Sequence, residues 1–458
     1  MHIVLKRKIY SDLLEWKGRT HKCLLVTGQR QIGKTFIIRK FAEDNYSYLA
    51  ELNFSTMREV REAFDSDLTV DSIIARLSII MPELTLIPGK TLLFFDEIQD
   101  CDSAFASLKQ FTEDGRYDVI ASGSLMGVKL PELKKQDNTD NELVPMGYDE
   151  YLQMFALDFE EFLWARGVSE KNIQSLKDRI KDRAEIDPVI LKKMNSYFRE
   201  FMIIGGMPAA VSAFIADGTF TGVRKVLNDL KADCLRDINR YNRGVDIVKT
   251  TECFESIPDQ LAESNKKFMY SRIDDGQTRQ SADKYIENLL WIRNAGYGNF
   301  CYGCVAPVLP LRSKRDVFKV YLSDTGMLVN SYGDNCIKAI YMDNLSYNLG
   351  SIAENEVAEC LMKAGYVPRY FTEQKGEKRM ELDFVLETGN GLTVLEVKSG
   401  KSRNVPSIGK ASRFYNIDLR IILSEDNIFT DGSGMLHLPL FASAFLRELE
   451  PVWDGPAL

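Results

Sequence analysis

The sequence predicts a multidomain α/β protein, and three observations carry that prediction. The chain has 458 residues, 45% hydrophobic and 27% charged, the composition of a folded protein too long for one typical core. Its first part alternates short apolar runs with amphipathic segments, the pattern of a parallel sheet covered by helices. Residues 28 to 35, Gly-Gln-Arg-Gln-Ile-Gly-Lys-Thr, fit the phosphate-loop spacing G-x4-G-K-T and follow directly on the apolar run 23–27.

Taken in order, the runs Leu24 to Thr27, Tyr48 to Phe54, Thr91 to Phe95 and Tyr117 to Ser122 read as buried strands. Amphipathic segments such as Ser72 to Met81 and Ala104 to Glu113 separate them, and the polar stretch Lys129 to Asn141 predicts an exposed loop. From Tyr148 to about Asn294 the periodicity is helical, over Leu157 to Arg166, Ile190 to Phe201 and Val223 to Arg240, with a turn at Gly205-Gly-Met-Pro208. A helix over Ser281 to Ala295, followed by a β-rich stretch around Val317 to Leu322, is compatible with a winged helix. After Asn348 a helix (Ile352 to Lys363) leads into the strand candidates Val367 to Thr372, Glu381 to Glu387, Leu392 to Val397 and Leu419 to Ser424. Three domains follow: residues 1–147, 148–345 and 346–458.

Bulk properties narrow the function. The net charge of −8 argues against a chain that binds nucleic acid over its whole surface, so any such contact must come from local patches. The N-terminus lacks the pattern of a secretory leader and no run of about 18 apolar residues occurs, so a cytoplasmic location without a membrane span is expected. Eight cysteines lack framework spacing, Cys301-Tyr-Gly-Cys304 has no partner pair, and three histidines leave little for a His-based metal site.

The phosphate loop predicts ATP binding with Mg2+. Glycines at both ends let the backbone of Gly28, Gln29, Arg30, Gln31, Ile32 and Gly33 curl N–H groups around phosphate oxygens. Lys34 would reach the β- and γ-phosphates, and Thr35 would ligate Mg2+ at a helix N-terminus. Hydrolysis also needs an acid on the metal shell and a group that orients water. Leu92-Leu-Phe-Phe-Asp96-Glu97 supplies both at the carboxyl end of a buried strand: Asp96 for Mg2+ and Glu97 for the water. The next strand ends in Ala121-Ser-Gly-Ser124, where Ser124, or secondly Ser122, is the candidate sensor of the γ-phosphate; a plain turn is the alternative. Arg30 could touch phosphate in cis, whereas no arginine acting in trans is identifiable, which leaves the oligomeric state open.

A second constellation lies between residues 381 and 398. Asp383 sits on one strand, and Glu396-Val-Lys398 on the next places its two charged residues on one face. Asp383 and Glu396, completed by Glu354 on the preceding helix, could share Mg2+ or Mn2+ while Lys398 activates water, the requirement for phosphodiester hydrolysis. Surface strands also carry such acid and lysine pairs without catalysis. Lys401, Arg403, Lys410 and Arg413 could hold a DNA backbone or form a solvated face.

As an ordered set, these residues are familiar. Gly28 to Thr35, Phe95-Asp-Glu-Ile-Gln99, Ser122-Gly-Ser124, Leu157-Asp-Phe-Glu-Glu-Phe-Leu163, Gly205-Gly-Met-Pro208, Tyr321-Leu-Ser-Asp-Thr-Gly326, Glu354-Asn355, Leu382-Asp-Phe384 and Glu396-Val-Lys-Ser-Gly400 follow one another along the chain. Across essentially its whole length the chain resembles prokaryotic AAA-type ATPases with a C-terminal domain of unknown function carrying a PD-(D/E)XK nuclease-like core. The resemblance implies an AAA-type module, a helical and winged-helix middle, and a restriction-endonuclease-like α/β domain. Leu382 stands where the motif's name has proline. The resemblance implies no settled substrate; because both sites retain the residues their chemistry needs, the leading expectation is an ATP-hydrolysing enzyme whose nucleotide state controls a C-terminal DNA-binding or DNA-cleaving domain. The alternatives are a nucleotide-gated switch that binds a partner without cleavage, and a remodelling motor that assembles as a ring.

Overall fold

The predicted apolar runs form a five-stranded sheet: β1 (Cys23–Gly28), β2 (Tyr48–Asn53), β3 (Thr91–Asp96), β4 (Asp118–Ser124) and β5 (Asp149–Gln153). Its order is β2-β3-β4-β1-β5 and every neighbouring pair is parallel. The computed structural model describes residues 4–19, 22–124, 149–273, 284–344, 349–374, 376–400 and 406–451. By contacts the chain divides into two units. One comprises Lys6–Ala156 with Asn294–Gly296, and the other Met1–Leu5, Leu157–Arg293 and Tyr297–Leu458.

In the first unit, α1 (Ile9–Arg19), α2 (Lys34–Asn45), the short α3 (Arg58–Arg61), α4 (Val70–Ile80) and α5 (Asp102–Asp114) accompany the sheet. Alternate strand residues point to opposite faces. Cys23, Leu25, Leu52, Leu93, Phe95 and Val119 join Phe64, Leu77, Leu108 and Phe111 in one core. Phe54, Phe64 and Phe95 meet edge to face at 5.4–5.8 Å between ring centres, a geometry that favours the aromatic quadrupoles. The unit runs past residue 147, where the sequence had placed its end, because β5 pairs with β1 from Cys23↔Asp149 to Thr27↔Gln153. The loop expected over Lys129 to Asn141 lies outside the described residues.

The second unit begins with helices: α6 (Phe159–Ala165), α7 (Glu170–Lys181), α8 (Pro188–Ile204), α9 (Pro208–Asp217), α10 (Phe220–Tyr241), α11 (Val245–Ala262) and α12 (Ile286–Asn294). Leu157-Asp-Phe-Glu-Glu is a capping box: Asp158 accepts from the Glu161 N–H at 2.9 Å while Glu161 accepts from the Asp158 N–H. Next come β6 (Gly298–Cys304), β7 (Ser313–Leu322), α13 (Thr325–Tyr332), α14 (Asp334–Tyr341) and α15 (Gly350–Lys363). The chain continues through β8 (Arg369–Glu373), β9 (Met380–Thr388), β10 (Gly391–Val397), α16 (Pro406–Ala411), β11 (Leu419–Ser424), β12 (Phe429–Thr430) and β13 (Leu436–Pro439), then a 3-10 segment, Leu440–Leu449.

The C-terminal strands form a mixed sheet in the order β12-β13-β11-β10-β9-β8-β6-β7. The β6–β7 hairpin, expected as the wing of a winged helix, is part of this sheet. β6 still had one edge of backbone donors and acceptors to satisfy, and it does so by pairing in parallel with β8. The sheet therefore crosses the boundary placed at residue 345.

Gly205-Gly-Met-Pro208 and Ser323-Asp-Thr-Gly326 meet in a buried polar seam. Asp324 accepts from the Gly206 N–H at 2.8 Å and caps α13 through the Met327 N–H at 3.0 Å. A Cβ on Gly206 would lie 2.1 Å from the Leu157 carbonyl oxygen, which also accepts from Lys363 at 2.7 Å. Asn355 bonds both backbone groups of Leu322, and Glu359 accepts from the Thr325 N–H. Among the described residues no helix is long and apolar enough to cross a membrane, and all eight cysteines are buried.

Candidate functional site

The phosphate loop is shaped by backbone requirements that its sequence meets. Gln31 (φ 63°) and Gly33 (φ 93°) both lie in the left-handed region, which turns the loop into the first turn of α2. A Cβ on Gly28 would stand 2.4 Å from the Met154 carbonyl oxygen, so glycine is fixed there by packing as well as by phosphate access. Lys34 is buried and its ammonium donates to the carbonyls of Gly28 (3.0 Å) and Gln29 (2.9 Å). Burial brings its pKa down to about 8, against the opposing pull of Glu97 and Asp96, and the positive charge of Arg30 adds to the lowering.

Beside the loop, Asp96 is buried at the end of β3. The Thr35 hydroxyl lies 3.3 and 3.4 Å from its two oxygens, Asn53 donates to it at 2.9 Å, and Ser122 also donates to it. Burial raises the Asp96 pKa, and Ser122 and Asn53 oppose the rise. Glu97 adopts φ 54°, ψ 48°, an uncommon conformation for a residue with a Cβ, and its carboxylate accepts from Gln99. The hydroxyl of Thr35 and the carboxylate of Asp96 are two hard oxygen donors side by side, which fits Mg2+.

The two sensor candidates stand differently. Ser122, the second choice for a sensor, spends its hydroxyl on Asp96 because β3 and β4 run in register from Leu92↔Asp118 to Phe95↔Ala121. Ser124 closes β4, and its side chain lies outside the described residues. Two supporting residues escape a sequence reading. Asn53 ends β2 directly opposite Asp96. Arg7 donates to the Ile32 carbonyl at 2.9 Å and to Phe155 at 2.5 Å, tying the loop to two distant segments.

In the second unit, α15 brings Glu354 towards the strands that carry Asp383 and Glu396, and its charge acts to raise the pKa of both. Asp383 is pushed up to about 7 by burial and then by Glu354 and Glu396, although it accepts from the Val397 N–H at 2.9 Å. Lys398 donates to one oxygen of Glu396 at 2.7 Å, and the other oxygen is buried with no hydrogen-bond partner.

The expected metal set is nevertheless not assembled. Among the described residues no group of three carboxylate, histidine or cysteine side chains is arranged to hold a metal ion. The reason lies at Glu354, whose oxygens are already taken. One accepts from Lys319 at 2.8 Å and from the Tyr321 hydroxyl, the other from Lys266. Burial works to raise the Glu354 pKa, yet Lys319 and Lys266 overcome it and bring it down to about 2. Lys319 is 1% exposed; burial disfavours its charge, but Glu354, Asp383 and Glu381 hold its pKa above the usual value. Lys401 and Arg403 of the expected basic segment lie outside the described residues, and Lys410 donates to the Arg379 carbonyl at 3.0 Å.

The parallel sheet, the loop and the Asp96 cluster have the geometry of a phosphate-loop nucleotide-binding domain. In agreement, residues 20–163 match the family described as AAA domain. Residues 195–335 match the Domain of unknown function (DUF8612), and residues 349–440 the Domain of unknown function (DUF4143). None of the curated proteins matches the chain. Similar solved structures include the Walker-type ATPase paby2304 of Pyrococcus abyssi, at 14% identity and TM-score 0.43, over 72% of this chain and 96% of that one. AMPPCP-bound DnaA from Aquifex aeolicus matches at 12% identity and TM-score 0.29, over 62% and 86% of the two chains. The RuvB Holliday junction branch migration motor of Thermotoga maritima matches at 14% and 0.25, over 64% and 89%.

Proposed function

We propose that the chain binds and hydrolyses ATP with Mg2+, and that its nucleotide state controls how the C-terminal unit engages DNA or another partner. The observation that carries the first half is Asp96, buried beside Thr35 and next to Glu97, at the mouth of a complete phosphate loop. Thr35 and Asp96 would hold Mg2+, which supplies charge neutralisation at the phosphates when bound. Lys34 exchanges the carbonyls of Gly28 and Gln29 for phosphate oxygens as nucleotide enters, and its charge is then favoured by the ligand. Glu97 orients the attacking water and accepts its proton, its position fixed by Gln99 and by a strained backbone. Mg2+-dependent ATP turnover measured in wild type and Lys34→Ala tests this: equal rates remove the loop from the mechanism.

For the second half, the lysines on Glu354 favour the reading in which the nuclease-like unit binds a partner without cutting it. Incubating single- and double-stranded DNA and RNA with the protein and Mg2+ or Mn2+ decides between the readings. Cleavage lost in Asp383→Ala would restore the nuclease.

A further inference from the structure

We infer that the C-terminal acid cluster is a lysine-compensated site, in which the buried Lys319 ammonium supplies the positive charge that a divalent metal would otherwise bring. The inference rests on reading this unit as a nuclease-like core. Three carboxylates, Glu354, Asp383 and Glu396, are matched by three lysines, Lys266, Lys319 and Lys398, each of which donates to one of them.

Lys319 is the decisive member. It is among the largest fully buried side chains of the protein, it lies on β7 with Tyr321 on the same strand face, and it interacts with Glu354 and Asp383 at once. Its ammonium is 2.8 Å from Glu354 and 3.6 Å from Glu381. The Tyr321 hydroxyl donates to the same Glu354 oxygen that Lys319 uses, and Lys266 covers the other. A divalent ion would have to shed tightly held water to enter a set whose carboxylates already face three lysines, and it would displace three charge-assisted or hydroxyl hydrogen bonds on Glu354 to do so. What remains is one unpartnered oxygen of Glu396 and the carboxylate of Asp383, which already accepts from the Val397 N–H.

The arrangement makes Lys319 a functional determinant: one strand position sets whether these carboxylates read a metal or a lysine. Removing that ammonium leaves Glu354 and Asp383 short of positive charge in a buried place, which a cation can then supply.

The experiment titrates Mn2+ into the nucleotide-free full chain and follows the free-ion signal by electron paramagnetic resonance. Thermal melts with and without Mn2+ are recorded on the same samples. The proteins are wild type, Asp383→Asn, Lys319→Met and the double variant. Wild type and Asp383→Asn are expected to bind Mn2+ alike. Lys319→Met gains one Mn2+ site, raises its melting temperature with Mn2+, and loses both effects when Asp383→Asn is added. Lys266→Met, which frees the other Glu354 oxygen from the more exposed side, serves if Lys319→Met does not fold. Mn2+ bound by wild type and lost in Asp383→Asn overturns the inference while strengthening the nuclease-like reading. Failure of both lysine variants to gain a site overturns the inference together with that reading.

Discussion

Replacing Asp96 with asparagine separates what a buried carboxylate costs the nucleotide-free protein from what it contributes to turnover. Asp96 is surrounded by the donors of Asn53, Thr35 and Ser122. An amide of the same size preserves that network: its oxygen accepts from Asn53, and its NH2 donates to the two hydroxyls, which rotate to accept. The charge that burial disfavours is gone, so the nucleotide-free protein should melt at the same or a higher temperature. Turnover should move the other way. Loss of one preorganised charge at the metal costs about 3 to 4 kcal/mol of transition-state stabilisation, or roughly 100- to 1000-fold in rate. Calorimetric melts without nucleotide and steady-state ATP turnover with Mg2+ give the two readings. A melt lowered by more than about 4 °C, the size of shift that ~1 kcal/mol produces in a unit of this length, would refute the stability argument. Turnover within about threefold of wild type would refute the catalytic one.

Further outcomes follow at other residues. Because Lys34 sits at about pKa 8 without nucleotide, binding above that pH must take up a proton, and ATP affinity should weaken about tenfold per pH unit there. The folded chain has released a proton between pH 8 and 10.5 that the unfolded chain still holds, so nucleotide-free stability should rise across that window; calorimetric titration and denaturation against pH check both. Gly206→Ala drives a Cβ into the Leu157 carbonyl and displaces its bond from Lys363, a loss of about 3 kcal/mol or more by urea denaturation. Gly409→Ala, a helical site with open space around it, should instead stabilise by up to about 1 kcal/mol. Arg7→Met should weaken nucleotide binding about tenfold by freeing the Ile32 and Phe155 carbonyls, as measured by fluorescent-nucleotide titration.

Contiguous chemistry was legible in the sequence and chemistry assembled across the fold was not. The residues 28–35 and the pair Asp96-Glu97 announce themselves because loop geometry and strand burial act on neighbours in the chain. Asn53 and Ser122 matter only because β2 and β4 flank β3 in register, a fact of topology that a single strand does not encode. Lys319 left a local trace, one lysine in the apolar run Val317-Phe-Lys-Val-Tyr-Leu322, and a charge in such a strand asks for a buried partner. Its partner was already visible in Glu354, but read as a metal ligand, since nothing local links residue 319 with residue 354. The hairpin shows the same limit: the β-rich stretch around Val317 to Leu322 was recognisable, while β6 and the edge it offers to β8 are decided by a segment far along the chain.

That seam also bears on how the protein is made. Tyr302 and Gly303 pair with Arg369 and Tyr370, so during synthesis the β6–β7 hairpin emerges long before its parallel neighbour. Until β8 arrives, one flank of β6 presents open backbone groups to any other extended segment, and closing so distant a pairing is intrinsically slow. Assembly of the eight-stranded sheet is therefore the step at which crowding at the ribosome or loss of a chaperone should divert this chain into aggregates, whereas the parallel sheet of the nucleotide-binding unit is all but complete once β5 has left the exit tunnel.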